Sequence, residues 1–335
     1  MNKLLEVKNL EVNFKTDCGE VKAIRNVSFD LYDGEILAIV GESGCGKSML
    51  CRSLIKLLPN NGYIRNGEIL LNNYDLVKIK EKNISKIRGK DISMIFQDPM
   101  TSLNPTICVG KQIAEVVKIH NKTSKSEAKK KAIELMELVG IEDAVNRYNQ
   151  YPYQFSGGMR QRIVIAISLA CNPKILIADE PTTALDVRVQ YQILDLLKSI
   201  QKEKKLSIIF ITHDFGVVSK IADRVAVMYA GKIMEIGKKE EILLNAKHPY
   251  TIGLLGCLPS MNKGKEYLEV IEGMPPNLLN PPKGDAFAIR NKNPLVIDFL
   301  EEPPMFKVSE SHYAATWLLH PKAMKLISVK EEQVN

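Results

Sequence analysis

The stretch Gly41-Glu42-Ser43-Gly44-Cys45-Gly46-Lys47-Ser48 decides the fold of this 335-residue chain. It matches the complete pattern G-x-x-x-x-G-K-[ST] and directly follows Ile36–Val40, an apolar run with the length and composition of a buried strand. Residues 49–58 have helical spacing, so the pattern predicts a strand, a glycine-rich turn and a helix. Such a turn directs backbone N–H groups and a helix N-terminus at one point, a geometry that suits a di- or triphosphate.

The positions of this loop predict separate roles. Lys47 is expected to reach the β- and γ-phosphates, and the Ser48 hydroxyl is expected to ligate Mg²⁺. The loop residues that would surround the phosphates before Lys47 are Gly41, Glu42, Ser43, Gly44, Cys45 and Gly46. The alternative, a glycine-rich turn that binds nothing, does not explain the complete pattern between a strand and a helix.

The bulk composition is that of a globular protein, with 45% apolar and 25% charged residues. The net charge of +7 permits contact with an anionic membrane surface or nucleic acid but indicates neither. No apolar run approaches the roughly 18 residues that span a bilayer, and the N-terminus lacks the apolar core of a signal peptide. We therefore expect any membrane association to go through partners, and the six cysteines to be free thiols.

The first half of the chain predicts an antiparallel sheet followed by helices. Residues 3–14 and 21–31 alternate apolar and polar side chains, which predicts two strands joined by a glycine-containing turn. The dipeptide Asn66-Gly67 lies between apolar pairs and predicts a type I′ hairpin. Residues 107–149 have a helical pattern, in which Ser124 and Glu127 form a capping box.

From residue 174 onwards the pattern alternates strands and helices. Strands are predicted at 175–178, 206–212, 224–229 and 232–236, with a helix at 187–205. This alternation indicates a mostly parallel sheet covered by helices on both faces. Near residue 256 the composition shifts to a proline-rich, irregular tail.

An apolar strand at 174–180 ends in two carboxylates, Asp179 and Glu180. In a phosphate-loop protein this arrangement places an aspartate beside Mg²⁺ and a glutamate beside the γ-phosphate. Asp179 is expected to hold Mg²⁺ through water, and Glu180 to polarise the attacking water as a general base.

A second glycine turn, Ser156-Gly157-Gly158, opens another predicted helix and is followed by Gln161-Arg162. The N-terminus of that helix is a further anion-binding site. Because one ATP does not need two such turns, we expect the second turn to close on ATP held by another subunit. A plain helix cap is the alternative.

With these motifs in place, residues 1–255 resemble the ATP-binding-cassette (ABC) ATPases. The resemblance implies an α/β fold: a RecA-like P-loop core, an antiparallel β subdomain and an α-helical signature subdomain at about 85–165. It also implies a head-to-tail dimer that sandwiches two ATP molecules. Residues 256–335 would then form an irregular C-terminal extension.

The resemblance assigns roles to three residues outside the motifs above. Phe14 matches the aromatic residue that stacks on adenine, and a strand-core phenylalanine is the alternative. Gln97 matches the glutamine that senses Mg²⁺, the attacking water and the membrane partner. Asp186 matches the loop that links the two ATP sites.

Two further matches concern the γ-phosphate. Ser156 and Gly158 match the signature residues that face the γ-phosphate of the opposite subunit. His213, which follows the predicted strand at 206–212, matches the switch histidine that contacts the γ-phosphate and orients Glu180. With Lys47, the catalytic set implied for this chain is Glu180, His213 and Gln97.

Residues 96–105 and 248–255 are similar to the oligopeptide/dipeptide branch of bacterial ABC importers, and specifically to the "D" type of its two ATPase subunits. This implies ATP hydrolysis that powers peptide uptake, by a peripheral subunit on the cytoplasmic face of the membrane. The implied partners are a second ATPase subunit in a heterodimer, two permeases and an extracytoplasmic binding protein, with no nucleic acid.

Three alternatives remain beside this hypothesis. The branch includes nickel importers, so nickel or another small solute is an alternative cargo. A soluble ABC ATPase that acts on ribosomes or DNA is a second, although such proteins usually carry two cassettes or long coiled-coil insertions. A subunit that binds ATP without hydrolysing it is the third, and intact Glu180 and His213 argue against it.

The tail departs from its relatives at four positions. Many of them carry four cysteines that ligate an iron–sulfur cluster, and the matching positions here are Asp285, Asn291, Asp298 and Thr316. Because such clusters need thiolates, we expect none. A hard-metal site at Asp285 and Asp298 is the alternative to solvated or hydrogen-bonded carboxylates. The aromatic candidates for packing the tail are Phe287, Phe299, Phe306 and Trp317.

Overall fold

The structure, a computed structural model, describes residues 2–72, 74–183, 185–258 and 270–323. Its strands are β1 (Lys3–Thr16), β2 (Gly19–Tyr32), β3 (Ile36–Val40), β4 (Gly62–Leu71), β5 (Tyr74–Asp75), β6 (Ile92–Ile95), β7 (Ile175–Asp179), β8 (Ser207–Thr212), β9 (Arg224–Tyr229), β10 (Lys232–Lys238), β11 (Phe306–Lys307) and β12 (Tyr313–Ala314). Its α-helices are α1 (Lys47–Leu54), α2 (Glu81–Ile84), α3 (Pro99–Ser102), α4 (Val109–Asn121), α5 (Lys125–Leu138), α6 (Ala144–Arg147), α7 (Gly157–Ser168), α8 (Val187–Lys204), α9 (Phe215–Ile221), α10 (Lys239–Asn245) and α11 (Pro249–Gly256).

The larger sheet has the strand order β11-β12-β10-β9-β3-β8-β7-β6. Strands β9, β3, β8, β7 and β6 are parallel, as the alternating pattern predicts. Every residue of β3 is buried, because the strand lies between β8 and β9 with its faces covered. The carboxyl ends of these parallel strands share one edge, which is where ligands bind in such sheets.

The smaller sheet is antiparallel, with the order β2-β1-β4-β5. Its first two strands confirm the predicted pair and its short connecting turn. The inward-facing residues of β1, such as Val7, Leu10 and Val12, are buried in a core shared with α1 and the larger sheet. This packing joins the smaller sheet to the phosphate-loop helix.

The predicted hairpin at Asn66-Gly67 is wrong. Both residues lie inside β4, which pairs with β1 on either side of them, and the register shifts between Lys8 and Glu11. Gly67 has φ of 103°, and a Cβ atom there would lie 2.6 Å from the Asn9 carbonyl oxygen. The glycine therefore marks a β-bulge, which also requires positive φ and a close backbone approach, rather than a chain reversal.

Helices α4 to α7 pack together on one side of the larger sheet around a common apolar core. The predicted capping box of α5 is confirmed: the Glu127 N–H donates to Ser124 Oγ at 3.2 Å, and the Ser124 N–H donates to Glu127 Oε2 at 2.9 Å. One apolar face of the α5 region is buried, at Ala132, Leu135, Met136 and Val139.

Residues 270–323 are largely irregular, with short 3₁₀ helices at Ala288–Arg290, Val296–Phe299 and Trp317–Leu319. They do not form a detached unit, because β12 pairs with β10 and extends the larger sheet. These residues, the described part of the predicted C-terminal extension, therefore pack directly on the fold that carries the phosphate loop.

The aromatic residues of the extension have unequal roles. Phe287 is buried, and its ring centroid lies 5.5 Å from Tyr229 and 5.3 Å from Tyr250. The rings of Phe306 and Trp317 pack edge to face, with their centroids 6.0 Å apart. Phe299 is 51% exposed, so its predicted part in packing the extension is wrong.

The four positions that match cluster cysteines each accept a backbone N–H in a local turn. The pairs are Asp285 with Phe287 (2.9 Å), Asn291 with Asn293 (3.1 Å), Asp298 with Leu295 (2.6 Å) and Thr316 with Leu318 (3.3 Å). Side-chain oxygens of Asp, Asn and Thr commonly stabilise turns in this way. The two carboxylates are therefore hydrogen-bonded, and the oxygen side chains shape the irregular chain.

Asp285 and His248 are both buried, and Asp285 Oδ2 lies 3.8 Å from His248 Nε2, a contact that is an ion pair only if the histidine is protonated. Burial raises the pKa of the Asp285 carboxyl from 3.8 to about 6. Burial also lowers the pKa of His248 to about 4. Because the pKa of His248 lies below that of Asp285, the imidazole is largely uncharged where the carboxylate is ionised.

We expect Asp285→Asn to stabilise the fold above about pH 6. The pKa of Asp285 is higher in the folded state than in the unfolded state, so the wild-type carboxyl does not destabilise the fold below about pH 4. Its destabilising effect is largest above about pH 6. A shift of this size corresponds to roughly 3 kcal/mol at most, and asparagine retains an oxygen for the Phe287 N–H. Thermal unfolding at about pH 4 and about pH 8 measures the difference. The exposed Asp195→Asn is the control, and equal destabilisation of Asp285→Asn at both pH values would contradict the expectation.

Candidate active site

The phosphate loop leads from the end of β3 into α1. Gly46 caps this helix with φ of 105°, and a Cβ atom there would lie 2.8 Å from the Ala23 carbonyl oxygen, so the loop requires glycine. The Lys47 side chain is 5% exposed and donates to the Gly41 and Glu42 carbonyl oxygens at 2.8 and 2.9 Å. Its ammonium group therefore lies within the loop, beside the backbone that the sequence assigns to phosphate binding.

Cys45 occupies the interior of the same loop. Its thiol is buried, and burial raises its pKa. Ser43 and Gly44, in contrast, are exposed at the tip of the loop.

The carboxylates predicted at the end of β7 are adjacent to this loop. Ser48 Oγ donates to Asp179 Oδ1 at 2.9 Å. Asp179 is 1% exposed, and burial is the main cause of its raised pKa. Glu180, the next residue, has φ of 47°, a left-handed conformation that is uncommon for residues other than glycine. Strain of this kind concentrates at functional sites.

The Glu180 carboxylate is the centre of a polar cluster. Gln97 Nε2 and Thr183 Oγ1 both donate to its Oε2 at 3.1 Å. His213 Nδ1 lies 3.4 Å from its Oε1. Gln97 follows β6 and His213 follows β8, so the shared edge of the parallel sheet brings together residues that are far apart in the chain.

The turn Ser156-Gly157-Gly158, called the signature turn below, lies beside the start of α8. Ser156 caps α7, and its Oγ accepts the Met159 N–H at 3.3 Å. Asp186 caps α8, and its Oδ1 accepts the Val189 N–H at 2.9 Å. Val189 also touches the signature turn, since a Cβ atom on Gly158 would lie 2.5 Å from its Cγ1. The starts of α7 and α8 thus lie side by side; Ala184, in the loop before Asp186, is outside the described residues.

Comparisons with known proteins agree with this geometry. Residues 24–183 match the family model of the ABC transporter, and residues 234–292 match that of the oligopeptide/dipeptide transporter, C-terminal region. The oligopeptide transport ATP-binding protein OppD of Bacillus subtilis is 60% identical over 328 residues, covering 97% of this chain and 92% of that protein. The chain belongs to the ABC transporter family.

A second relative of this ABC ATPase is the dipeptide transport ATP-binding protein DppD of Lactococcus lactis. It is 59% identical over 325 residues, which cover 97% of this chain and 93% of that protein. Among solved structures, the ATP-binding cassette MJ0796, described as a dimer in a post-hydrolysis state bound to ADP and Pi, aligns with a TM-score of 0.63. It is 28% identical, over 70% of this chain and 98% of that one.

The ABC ATPase places Phe14 on β1, where it is partly buried. Its ring lies against Gly62 of β4, at which a Cβ atom would be 2.5 Å from the ring. It also packs on the core of the smaller sheet. These contacts suit a strand-core phenylalanine, but the side chain is only partly buried, so both interpretations of Phe14 stand.

The residues beside the phosphate loop have the chemistry that Mg²⁺ prefers. Ser48 Oγ and Asp179 Oδ1 are hard oxygen donors, and their 2.9 Å separation lets both face one small ion. Asp179 is a buried carboxylate that a cation would keep ionised. Gln97, whose Nε2 donates to Glu180, also carries an amide oxygen, which is a further candidate ligand.

Three contacts of the ABC ATPase site were not predicted from sequence. Thr183 stands three residues after Glu180, and its hydroxyl in the loop after the motif was the available signal. Tyr250 Oη accepts the Glu42 N–H at 2.9 Å. Arg290 binds the Glu42 carboxylate. Tyr250 and Arg290 lie more than 200 residues beyond the loop, so no local pattern pointed to them.

Within residues 2–258 and 270–323, apart from positions 73 and 184, no helix combines the length and apolar character needed to cross a bilayer.

Proposed function

We propose that this chain hydrolyses ATP and thereby powers the uptake of oligopeptides or dipeptides through a pair of membrane permeases. The observation that carries the ATPase proposal is the Glu180 carboxylate, held by Gln97, Thr183 and His213 beside the Ser48–Asp179 pair. The peptide cargo is supported by the C-terminal region match and by the names of the relatives. Those names favour peptides over nickel.

In the proposed reaction, Glu180 acts as the general base. It accepts a proton from water as the water oxygen bonds to the γ-phosphorus and the bond to the β–γ bridging oxygen breaks, releasing ADP and phosphate. His213 and Gln97 orient the carboxylate from either side. Lys47 leaves its carbonyl partners for the β- and γ-phosphates.

Ser48 and Asp179 would hold Mg²⁺, with Gln97 as a further ligand. When bound, this ion neutralises charge on the phosphate oxygens. The phosphate loop, residues 41–48, surrounds the phosphates with backbone N–H groups.

The signature residues act in the partner subunit's site. The side-chain contacts of Ser156 and Asp186 lie at the starts of α7 and α8. We propose that Ser156, Gly157 and Gly158 close on ATP bound to a second ATPase subunit, and that Asp186 links the two composite sites. The dimeric cassette MJ0796 supports a dimer of this kind.

The proposed assembly lies at the cytoplasmic face of the membrane. It contains a heterodimer of two ATPases, two permeases and an extracytoplasmic peptide-binding protein. Within this chain we assign residues 1–255 to the cassette, with its helical subdomain at about 85–165 apart from β6, which is a strand of the larger sheet, and residues 256–335 to the C-terminal extension.

A pull-down from native membranes tests the proposal. The tagged Glu180→Gln variant is held in its ATP-bound state with ATP and Mg²⁺, and co-purifying proteins are identified by mass spectrometry. Two multi-spanning permeases and a second ATPase are the expected result. Recovery of ribosomal or DNA-bound proteins without a permease would overturn the transport proposal.

The variant Phe14→Leu separates the two interpretations of Phe14. Leucine keeps apolar volume in the core but loses the stacking face, which is worth roughly 1–3 kcal/mol per base. If Phe14 stacks on adenine, the Kd for ATP rises roughly tenfold and the melting temperature changes little. Calorimetric titration and thermal unfolding measure these quantities. An unchanged Kd with a lowered melting temperature would assign Phe14 to the strand core.

A further inference from the structure

A bidentate ion pair between Arg290 and Glu42 joins the C-terminal extension to the phosphate loop. Arg290, at the end of the 3₁₀ helix Ala288–Arg290, donates through Nη1 to Glu42 Oε2 at 2.6 Å and through Nη2 to Glu42 Oε1 at 2.9 Å. The Arg290 side chain is 4% exposed and the Glu42 side chain 25%. This pair is therefore bidentate and largely shielded from water, the geometry in which such pairs are strongest.

The guanidinium of Arg290 is fully engaged. Its other N–H groups donate to Glu272 O at 2.9 Å, Ile271 O at 3.3 Å and Tyr229 Oη at 3.2 Å. With the two bonds to Glu42, all five donors of the fork have acceptors. The extension thus fixes the position and plane of this group before any ligand binds, which a lysine at this position would not reproduce.

Glu42 is held from three sides. Its backbone N–H donates to Tyr250 Oη at 2.9 Å, and its carbonyl oxygen accepts from Lys47 Nζ at 2.9 Å. The Tyr250 ring is buried against Tyr229, with the centroids 4.5 Å apart. The second residue of the phosphate loop is therefore anchored through its side chain to the extension and through its N–H to α11.

The charge of Glu42 gives this anchor a consequence for ligand binding. A free carboxylate within a loop that receives a triphosphate would repel the ligand, and such repulsion is strong where water is excluded. Arg290 both cancels this charge and holds the carboxylate on the side of the loop that faces the extension. Loss of the arginine would leave a negative charge free to move toward the phosphates.

We propose that Arg290 is a positioning residue for the phosphate loop. Through this arginine, the C-terminal extension sets the affinity of the loop for ATP. The inference rests on the proposed role of residues 41–48 in ATP binding. It gives the extension a part in nucleotide binding within the same chain.

The test uses the full chain and ATP with Mg²⁺, in three variants and one control. Arg290→Gln removes the charge at similar length. Arg290→Lys retains the charge without the fork. The double variant Glu42→Gln/Arg290→Gln removes both charges. The control is Glu302→Gln. It removes the ion pairs of the extension residue Glu302 with Arg25 and Lys232, and Glu302 does not contact the phosphate loop.

The Kd for ATP of the free chain is measured by calorimetry, and the KM and kcat by phosphate release from the assembled complex. For Arg290→Gln we expect Kd and KM to rise about tenfold with kcat within about twofold. Arg290→Lys should show a smaller rise. The double variant should bind ATP more tightly than Arg290→Gln, because the uncompensated carboxylate is gone. The control should bind like the wild type.

Three results would overturn the inference: an unchanged Kd in Arg290→Gln, no recovery in the double variant, or an equal loss in Glu302→Gln. If Arg290→Gln does not fold, Arg290→Lys decides: a Kd for ATP above that of both the wild type and Glu302→Gln supports the positioning role, and a wild-type Kd overturns it. Absence of ATP binding by the wild-type chain is a separate result that would overturn the proposed function itself.

Discussion

Replacing Glu180 with glutamine is expected to lower ATP hydrolysis by roughly 10²–10⁴-fold and to leave ATP binding within a few-fold of the wild type. The amide keeps the shape of the carboxylate and an oxygen for the Gln97 and Thr183 donors. It cannot accept the proton of the attacking water. The effect should therefore appear in kcat rather than in the Kd for ATP.

Phosphate release under single-turnover conditions, together with the Kd for ATP, measures this effect. Glu310→Gln is the control, because Glu310 is an exposed carboxylate paired with Lys307 in the extension. Equal rates for Glu180→Gln and the wild type would remove Glu180 as the base. A large rise in Kd would show instead that the carboxylate supports binding.

Replacing Lys47 with alanine is expected to weaken ATP binding by about 100-fold or more, since charge-assisted hydrogen bonds are each worth about 1.5–3 kcal/mol. The Lys47 ammonium lies inside the loop, bonded to the Gly41 and Glu42 carbonyl oxygens. In the proposed complex it exchanges these partners for phosphate oxygens.

Lys56→Ala is a matched control for this variant. Lys56 Nζ also donates to two backbone carbonyl oxygens, those of Val77 and Ile79, but it lies outside the phosphate loop. Comparison of the two Kd values for ATP separates the loss of a phosphate ligand from the loss of lysine–carbonyl bonds. Equal binding by both variants would contradict the role of Lys47.

The parts of the fold and site that were predictable are those in which a short pattern has one structural solution. The phosphate loop between β3 and α1, the carboxylates at the end of β7 and the capping box of α5 are of this kind. The parallel order of the strands then determines which loops meet. Gln97 and His213 were expected beside Glu180 through the family resemblance, and the structure gives the physical reason, because the strands before all three residues end at one edge of the sheet.

The predictions that were wrong or missing concern features that depend on tertiary contacts, which a short sequence pattern does not contain. Asn66-Gly67 is equally suited to a tight turn and to a bulge, and pairing of β4 with β1 on both sides of it selects the bulge. An aromatic residue in a proline-rich tail can point either way, and Phe299 points outward. Arg290 and Glu42 are 248 residues apart, so only the folded chain reveals their contact.

The most direct test of the account is ATP-driven peptide uptake by the complete importer in membrane vesicles. A labelled oligopeptide or dipeptide, the peptide-binding protein and ATP are supplied to complexes that contain either the wild-type chain or Glu180→Gln. The account predicts accumulation of peptide with the wild-type chain and loss of accumulation with Glu180→Gln. Peptide accumulation that continues with Glu180→Gln, or its absence in a wild-type complex that hydrolyses ATP, would contradict it.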